Sequence, residues 1–176
     1  GFAAESRAAL AELALEQQEP ARAESLARVA VQQFAQESQI DNEAWAQALL
    51  AAALDAQGRK AEAIRAIEQA RRLAQDCQHL SIRLLVRRLS ATIRIDHTQK
   101  RSLELAQREL TAILADASAA GFVTEELQAR LAIYELSLEQ GHGSEVAEKL
   151  SAFSQEAAKR GFGLIAKKAL AKTASK

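Results

Sequence analysis

Leu50-Ala51-Ala52-Ala53-Leu54-Asp55-Ala56-Gln57-Gly58 is the stretch that decides the fold. With Trp45 and Leu49 upstream, its leucines fall at helical spacing, so the segment reads as the end of one helix. Gly58 stands where such a helix stops with least strain, because glycine takes positive φ without a Cβ clash. A second helix then starts near Lys60 and carries Ala63, Ile67 and Ala70 on one face. The unit is a helical hairpin with small residues where its two helices meet.

Outward from this hairpin, residue types recur on a 40-residue grid. Ala30, Ala70, Leu110 and Leu150 lie on it, as do Leu13, Ala53, Ile93 and Ile133, and Leu26, Ala66, Ala106 and Val146. The pair Gly-Phe stands at Gly1-Phe2, Gly121-Phe122 and Gly161-Phe162, with Asp41-Asn42 and Ser81-Ile82 at the grid points between. A fixed period of roughly 20–50 residues in a helix-forming sequence signals a solenoid of stacked repeats.

Helices are predicted over 3–17, 20–37, about 41–57, 60–76, 80–95, 98–120, 123–140, 144–160 and 164–172. Pro20 opens the second, where its missing N–H is unpaired anyway. Asp41 is expected to cap the third and Thr98 the sixth, and Ser144 to open the eighth. The repeats are 1–40, 41–80, 81–120 and 121–160, with a capping helix in 162–176, all within one repeat domain spanning 1–176. In each Gly-Phe pair the glycine ends the second helix of a hairpin, and the phenylalanine is expected to plug the groove between hairpins. Gly141-His142-Gly143 is a turn.

The 50–58 stretch, continued through Ala63, Ile67 and Ala70, resembles the tetratricopeptide repeat family. It matches that family's large, small and large residues on the first helix, a turn glycine, then two alanines straddling a bulky residue. Ala14-Leu15 to Ala30 is a weaker copy, and Leu138-Glu139-Gln140-Gly141 repeats only the turn. The third pair departs, with the long turn Asp96-His97-Thr98-Gln99 and no glycine. The period of 40 exceeds the family's usual 34, which implies helices about a turn longer. The resemblance implies an all-α, right-handed α-solenoid of about four antiparallel helix pairs plus a C-terminal capping helix. It also implies a concave groove lined by first helices, in an array of the kind appended to bacterial signalling proteins such as regulators and kinases.

Composition agrees with helix packing. Of the 176 residues 48% are apolar but only 4% aromatic, so alanine and leucine carry the core. Cys77 is the single cysteine, which excludes an intrachain disulfide and points to a reducing, cytoplasmic setting. No apolar run approaches a membrane span. Methionine is absent even from position 1, so the chain is expected to be a segment of a larger protein, with Gly1 a cloning remnant.

The net charge is zero, but it is laid out in blocks. Residues 1–58 sum to 3 − 9 = −6 and 59–108 to 12 − 5 = +7. Residues 109–148 sum to 1 − 8 = −7 and 149–176 to 7 − 1 = +6. Neighbouring blocks attract, so internal electrostatic support of a solvated surface is one reading. The other is a binding site. On the fifth helix Arg83, Arg87, Ser90 and Arg94 fall within roughly 60° of one another, between two apolar stripes. If they face the groove, their guanidinium forks suit an acidic peptide or another anionic ligand. If they do not, they pair with carboxylates of adjacent repeats. Trp45 is either a plug between the first two pairs or an anchor on the groove rim. Tyr134 poses the same choice, weighted toward packing.

Catalytic chemistry is not indicated. Cys77-Gln78-His79 offers two metal ligands and no third, no Gly-rich loop follows a strand, and no acid–base pair is set in a pocket. No catalytic residue, metal or cofactor is expected. Arg71, Arg72, Arg83, Arg87, Arg88, Arg94, Lys100 and Arg101 could meet phosphates, but no aromatic residues interleave them, which disfavours nucleic acid. The expected function is a non-catalytic protein–protein interaction scaffold that captures a peptide or helix, with acidic partners favoured. A sensory domain for a small anionic ligand is the alternative. Leu10 and Leu13 lie on an uncapped first hairpin, where a homodimer contact is expected.

Overall fold

Alanine- and leucine-rich runs between short polar turns fold as helices in the computed structural model, which describes residues 2–141 and 143–173. Among these are nine α-helices and no strand: α1 (Phe2–Glu16), α2 (Pro20–Gln36), α3 (Ile40–Ala56), α4 (Lys60–Ala74), α5 (Leu80–Ile93), α6 (Lys100–Ala120), α7 (Val123–Glu139), α8 (Gly143–Lys159) and α9 (Gly163–Thr173). The fold is all-α, as expected, and every predicted helix is present with ends within about two residues. Contacts group the chain into two compact units, Gly1–Ile95 and Asp96–Lys176. His142, Gly1 and Lys176, which figure in the sequence expectations, lie outside the described residues.

In the first unit each helix packs on the next, and α1 also reaches α3 while α3 reaches α5. The seam is made of alanine. Every buried residue of α1 is alanine (Ala4, Ala8, Ala11, Ala14), and α2 adds Ala23, Ala27 and Ala30 before Phe34. Side chains this small let helix backbones approach closely, and they lose little rotamer entropy on burial. Larger residues fill the space between hairpins: Leu49, Leu50, Leu54, Ile67, Leu85, Val86 and Ile93. The grid positions Ala30, Ala70, Leu110 and Leu150 are all fully buried. Leu13 breaks the pattern at 45% exposed, while its grid partners Ala53 and Ile93 are buried.

In the second unit α6 packs on α7, α7 on α8, and α8 on α9, with α9 also touching α7. Leucines and aromatics replace the alanine seam: Leu127, Leu131, Leu150 and Phe153 form its core with Ile165 of α9. The buried Ser154 hydroxyl donates to the Ala166 carbonyl at 2.9 Å and so ties α8 to α9. The terminal helix thus covers the preceding hairpin, as a cap does.

Helix ends follow one device. Gly58, Gly121, Gly141 and Gly161 have φ between 74° and 90°. Gln18 and Ser38 adopt the same left-handed conformation without being glycine, at φ 60° and 54°. The next N–H reaches back five residues at five of these turns: Glu19 to Ala14, Gln39 to Phe34, Arg59 to Leu54, Phe122 to Ala117 and Phe162 to Ala157, at 2.8–3.0 Å. This is the Schellman motif, which satisfies carbonyls that a helix end otherwise leaves open.

Four local expectations are corrected. Asp41 is not the cap of α3: Gln39 holds that position without a side-chain bond, and Asp41 lies inside the helix. Thr98 does not cap α6 either, because Gln99 stands there and the Thr98 hydroxyl donates to Asp96 at 2.6 Å. In both cases a stronger local or tertiary partner takes the side chain. The eighth helix opens at Gly143 rather than Ser144. Of the three phenylalanines in the Gly-Phe pairs, only Phe162 packs on a core; Phe122 is 36% and Phe2 86% exposed, so neither is a plug.

Two substitutions test the turn device. Ser38→Gly should raise the free energy of unfolding by up to about 1 kcal/mol, because it relieves a left-handed Cβ. Gly58→Ala should lower it by about 1 kcal/mol, since a Cβ there meets no atom within 4 Å and only backbone strain is added. Urea midpoints of the two variants should therefore move in opposite directions. Enlarging the seam by Ala27→Leu should cost about 1–3 kcal/mol by the same measurement, as Ala27 is fully buried.

Candidate functional site

Helix α5 and the residue after it carry Arg83, Arg87, Ser90 and Arg94, and α3 carries Trp45. Both apolar flanks of α5 are covered, with Leu84, Leu85, Val86, Ile93 and the following Ile95 buried. Between them Arg83 is exposed and Arg87 half-buried. Arg94, just past the helix end, is half-exposed, and its Nε lies 3.1 Å from Glu68 Oε1 of α4. Glu68 also holds Arg71, at 3.1 Å. Arg94 is thus paired with an adjacent repeat, the alternative that the sequence left open. Ser90, which lies among these arginines by angle around the helix, is buried at 6% exposed. Trp45 is half-buried against the core of the first unit.

A second polar constellation escaped the sequence reading. Asp41 of α3 accepts the backbone N–H groups of Gln78 and His79, at 3.1 and 3.0 Å, and touches His79 Nδ1. These are the residues that lead into α5. The carboxylate therefore ties one hairpin to the start of the next. Burial raises its pKa, but the hydrogen bonds from His79 and the Gln78 backbone prevail and hold it below the ordinary value. Beside it the buried Cys77 thiol is pushed up to about 12 by burial and by the Asp41 charge, so it stays protonated and is a poor nucleophile. A depression of about 400 Å³ at this corner includes Ser38, Ile40, Asp41, Asp76 and His79. The available signal was the separation of Asp41 from Gln78 and His79, close to one repeat.

The charge blocks meet in specific ion pairs. In the first unit Glu24 receives Arg28 and Arg59, each at 2.7 Å, and the Gln57 amide at 2.8 Å. Gln57, Arg28 and Arg59 together hold Glu24 at a pKa of about 2. In the second unit Arg130 lies 2.8 Å from Glu156, Arg160 lies 3.1 Å from Glu126, and Lys172 lies 3.1 Å from Glu135. Arg130 also sits over the Phe153 ring, 4.9 Å from its centroid. Tyr134 meets Phe153 edge-on at 5.6 Å, in the packing role favoured for it. Much of the banded charge is therefore used inside each unit.

Among the described residues no group of three or more His, Cys, Asp or Glu could hold a metal ion, and no helix is long and apolar enough to cross a membrane. Comparison with family models, curated proteins and solved structures finds no match.

Glu24 gives a pH prediction. Its pKa is depressed in the folded state, so its stabilisation is complete above about 4.5 and is lost as pH falls toward about 2. Glu24→Gln should cost about 1–2 kcal/mol at pH 7, and the gap between variant and wild type should close as pH drops through that window. Urea denaturation at pH 7 and at acid pH measures both. Asp41→Ala should cost about 1–2 kcal/mol at pH 7, because it leaves two backbone donors at the entry to α5 without their acceptor.

Proposed function

We propose that this chain is a non-catalytic interaction module, similar to tetratricopeptide repeat arrays, that binds an acidic peptide or helix from a protein partner. The observation that carries this reading is α5: both apolar flanks are buried while Arg83 stands exposed beside the half-buried Arg87. Guanidinium groups on a rigid helix lose little freedom when they fork onto carboxylates. The buried Ser90 drops out of the contact set, and Trp45, half-buried, contributes at most an edge. Attachment to a bacterial signalling protein is part of the same proposal and rests on the family resemblance, while the cytoplasmic setting rests on the single cysteine, Cys77.

A peptide array of acidic, neutral and basic sequences, probed with the labelled chain, tests the reading. Acidic peptides should bind best. The charge-reversed Arg83→Glu/Arg87→Glu/Arg94→Glu variant, with its helix content checked by circular dichroism, should bind them at least about tenfold more weakly. Equal binding of basic peptides, or unchanged binding by a folded variant, would overturn it. Competition by a small dicarboxylate at millimolar concentration would favour the sensory alternative.

A further inference from the structure

Leu10 and Leu13 of α1 are 43% and 45% exposed. One repeat later, the equivalent Leu50 and Ala53 of α3 are 7% and 0% exposed, and Ser90 and Ile93 of α5 are 6% and 2% exposed. The cover on Ala53 is visible: Ala14, Leu15 and Ala23 of the preceding hairpin close over it. Helix α1 has no such hairpin before it among the described residues. Its outward side carries Phe2, at 86% exposure, together with Leu10 and Leu13, and lies opposite the seam of Ala4, Ala8, Ala11 and Ala14. Glu5, Glu12 and Glu16 run along one edge of this stripe.

The last helix presents the complementary surface. Helix α9 buries Ile165, Ala166 and Ala169, and leaves Leu164 and Leu170 at 53% and 50% exposed. Lys167 stands exposed between these two leucines, and α9 carries three lysines and no acidic residue. By contrast α1 has three glutamates against one arginine, Arg7, which is bonded to Gln33. Stacking α1 on α1 would bring glutamates together, and stacking α9 on α9 would bring lysines together.

We propose that the outward face of α1 docks on the outward face of α9 in a second copy of this chain. The contact is heterologous: each chain offers one acidic, leucine-bearing end and one basic, leucine-bearing end. Such contacts add chains one after another unless a ring closes. The exposed leucines supply the apolar centre, and the opposite charges fix which ends meet. The proposal does not depend on the arginine ridge of α5, so either can fail alone.

The test uses light-scattering mass over a dilution series of the full chain and two double variants, Leu10→Glu/Leu13→Glu and Leu164→Glu/Leu170→Glu. Wild type should gain mass with concentration and should associate roughly tenfold more weakly in high salt. Each variant alone should keep the mass of one chain. An equal mixture of the two should form a pair of two chains and nothing larger, because each retains the end that the other lacks. Circular dichroism checks that the variants fold, and the same positions changed to Ser repeat the test without added charge. A wild type that stays at one-chain mass at its highest soluble concentration would overturn the proposal. So would self-association of the folded α9 variant alone, or a mixture that never pairs.

Discussion

The near approach of helices across an alanine seam is the constraint on which the first unit depends. Burying only methyl groups along α1 places its axis close to α2 and α3, and hydrogen-bonded turns can then be short. The apolar area from each alanine is small, so stability comes from many contacts plus the leucine and isoleucine layer between hairpins. The second unit solves the same problem differently. There Phe153, Tyr134 and the Arg130 side chain pack together, and the guanidinium is balanced by Glu156 while it sits over the ring.

Electrostatics is layered on this packing. The carboxylates that matter are those that take several donors at once. Glu24 gathers two arginines and an amide, and Asp41 gathers two backbone N–H groups and an imidazole. Each joins segments distant in sequence, which a pair four residues apart on one helix does not do. The Glu24–Arg59 pair crosses from the first charge block to the second, and the first and last blocks of the sequence have opposite sign.

Most of the fold was legible because periodicity, alanine content and turn glycines all agree. The helix caps were not. Asp41 and Thr98 have the right chemistry for a cap, but each found a better partner: the entry to α5 for Asp41, and the Asp96 carboxylate for Thr98. A cap preference is worth about 1 kcal/mol, so a tertiary contact easily overrides it. The left-handed Gln18 and Ser38 were invisible because neither is glycine. The burial of Ser90 was not legible, because a serine between arginines looks exposed on a helical wheel, whereas burial depends on what packs over a position. The exposed arginine and leucine faces were legible as patterns, but no pattern in one sequence names what lies against them.

The left-handed residues of the first unit stand at 18, 38 and 58, and those of the second at 121, 141 and 161. Within each unit the chain is therefore metered in strides of one length, and between 58 and 121 the count runs three residues beyond a whole number of strides. A gene encoding such a protein can gain or lose a forty-codon cassette inside either unit and keep every surviving side chain on its proper face. The buried positions Ala30, Ala70, Leu110 and Leu150 keep their forty-residue spacing across that surplus, so it shifts where the turns fall and not which helix positions face inward.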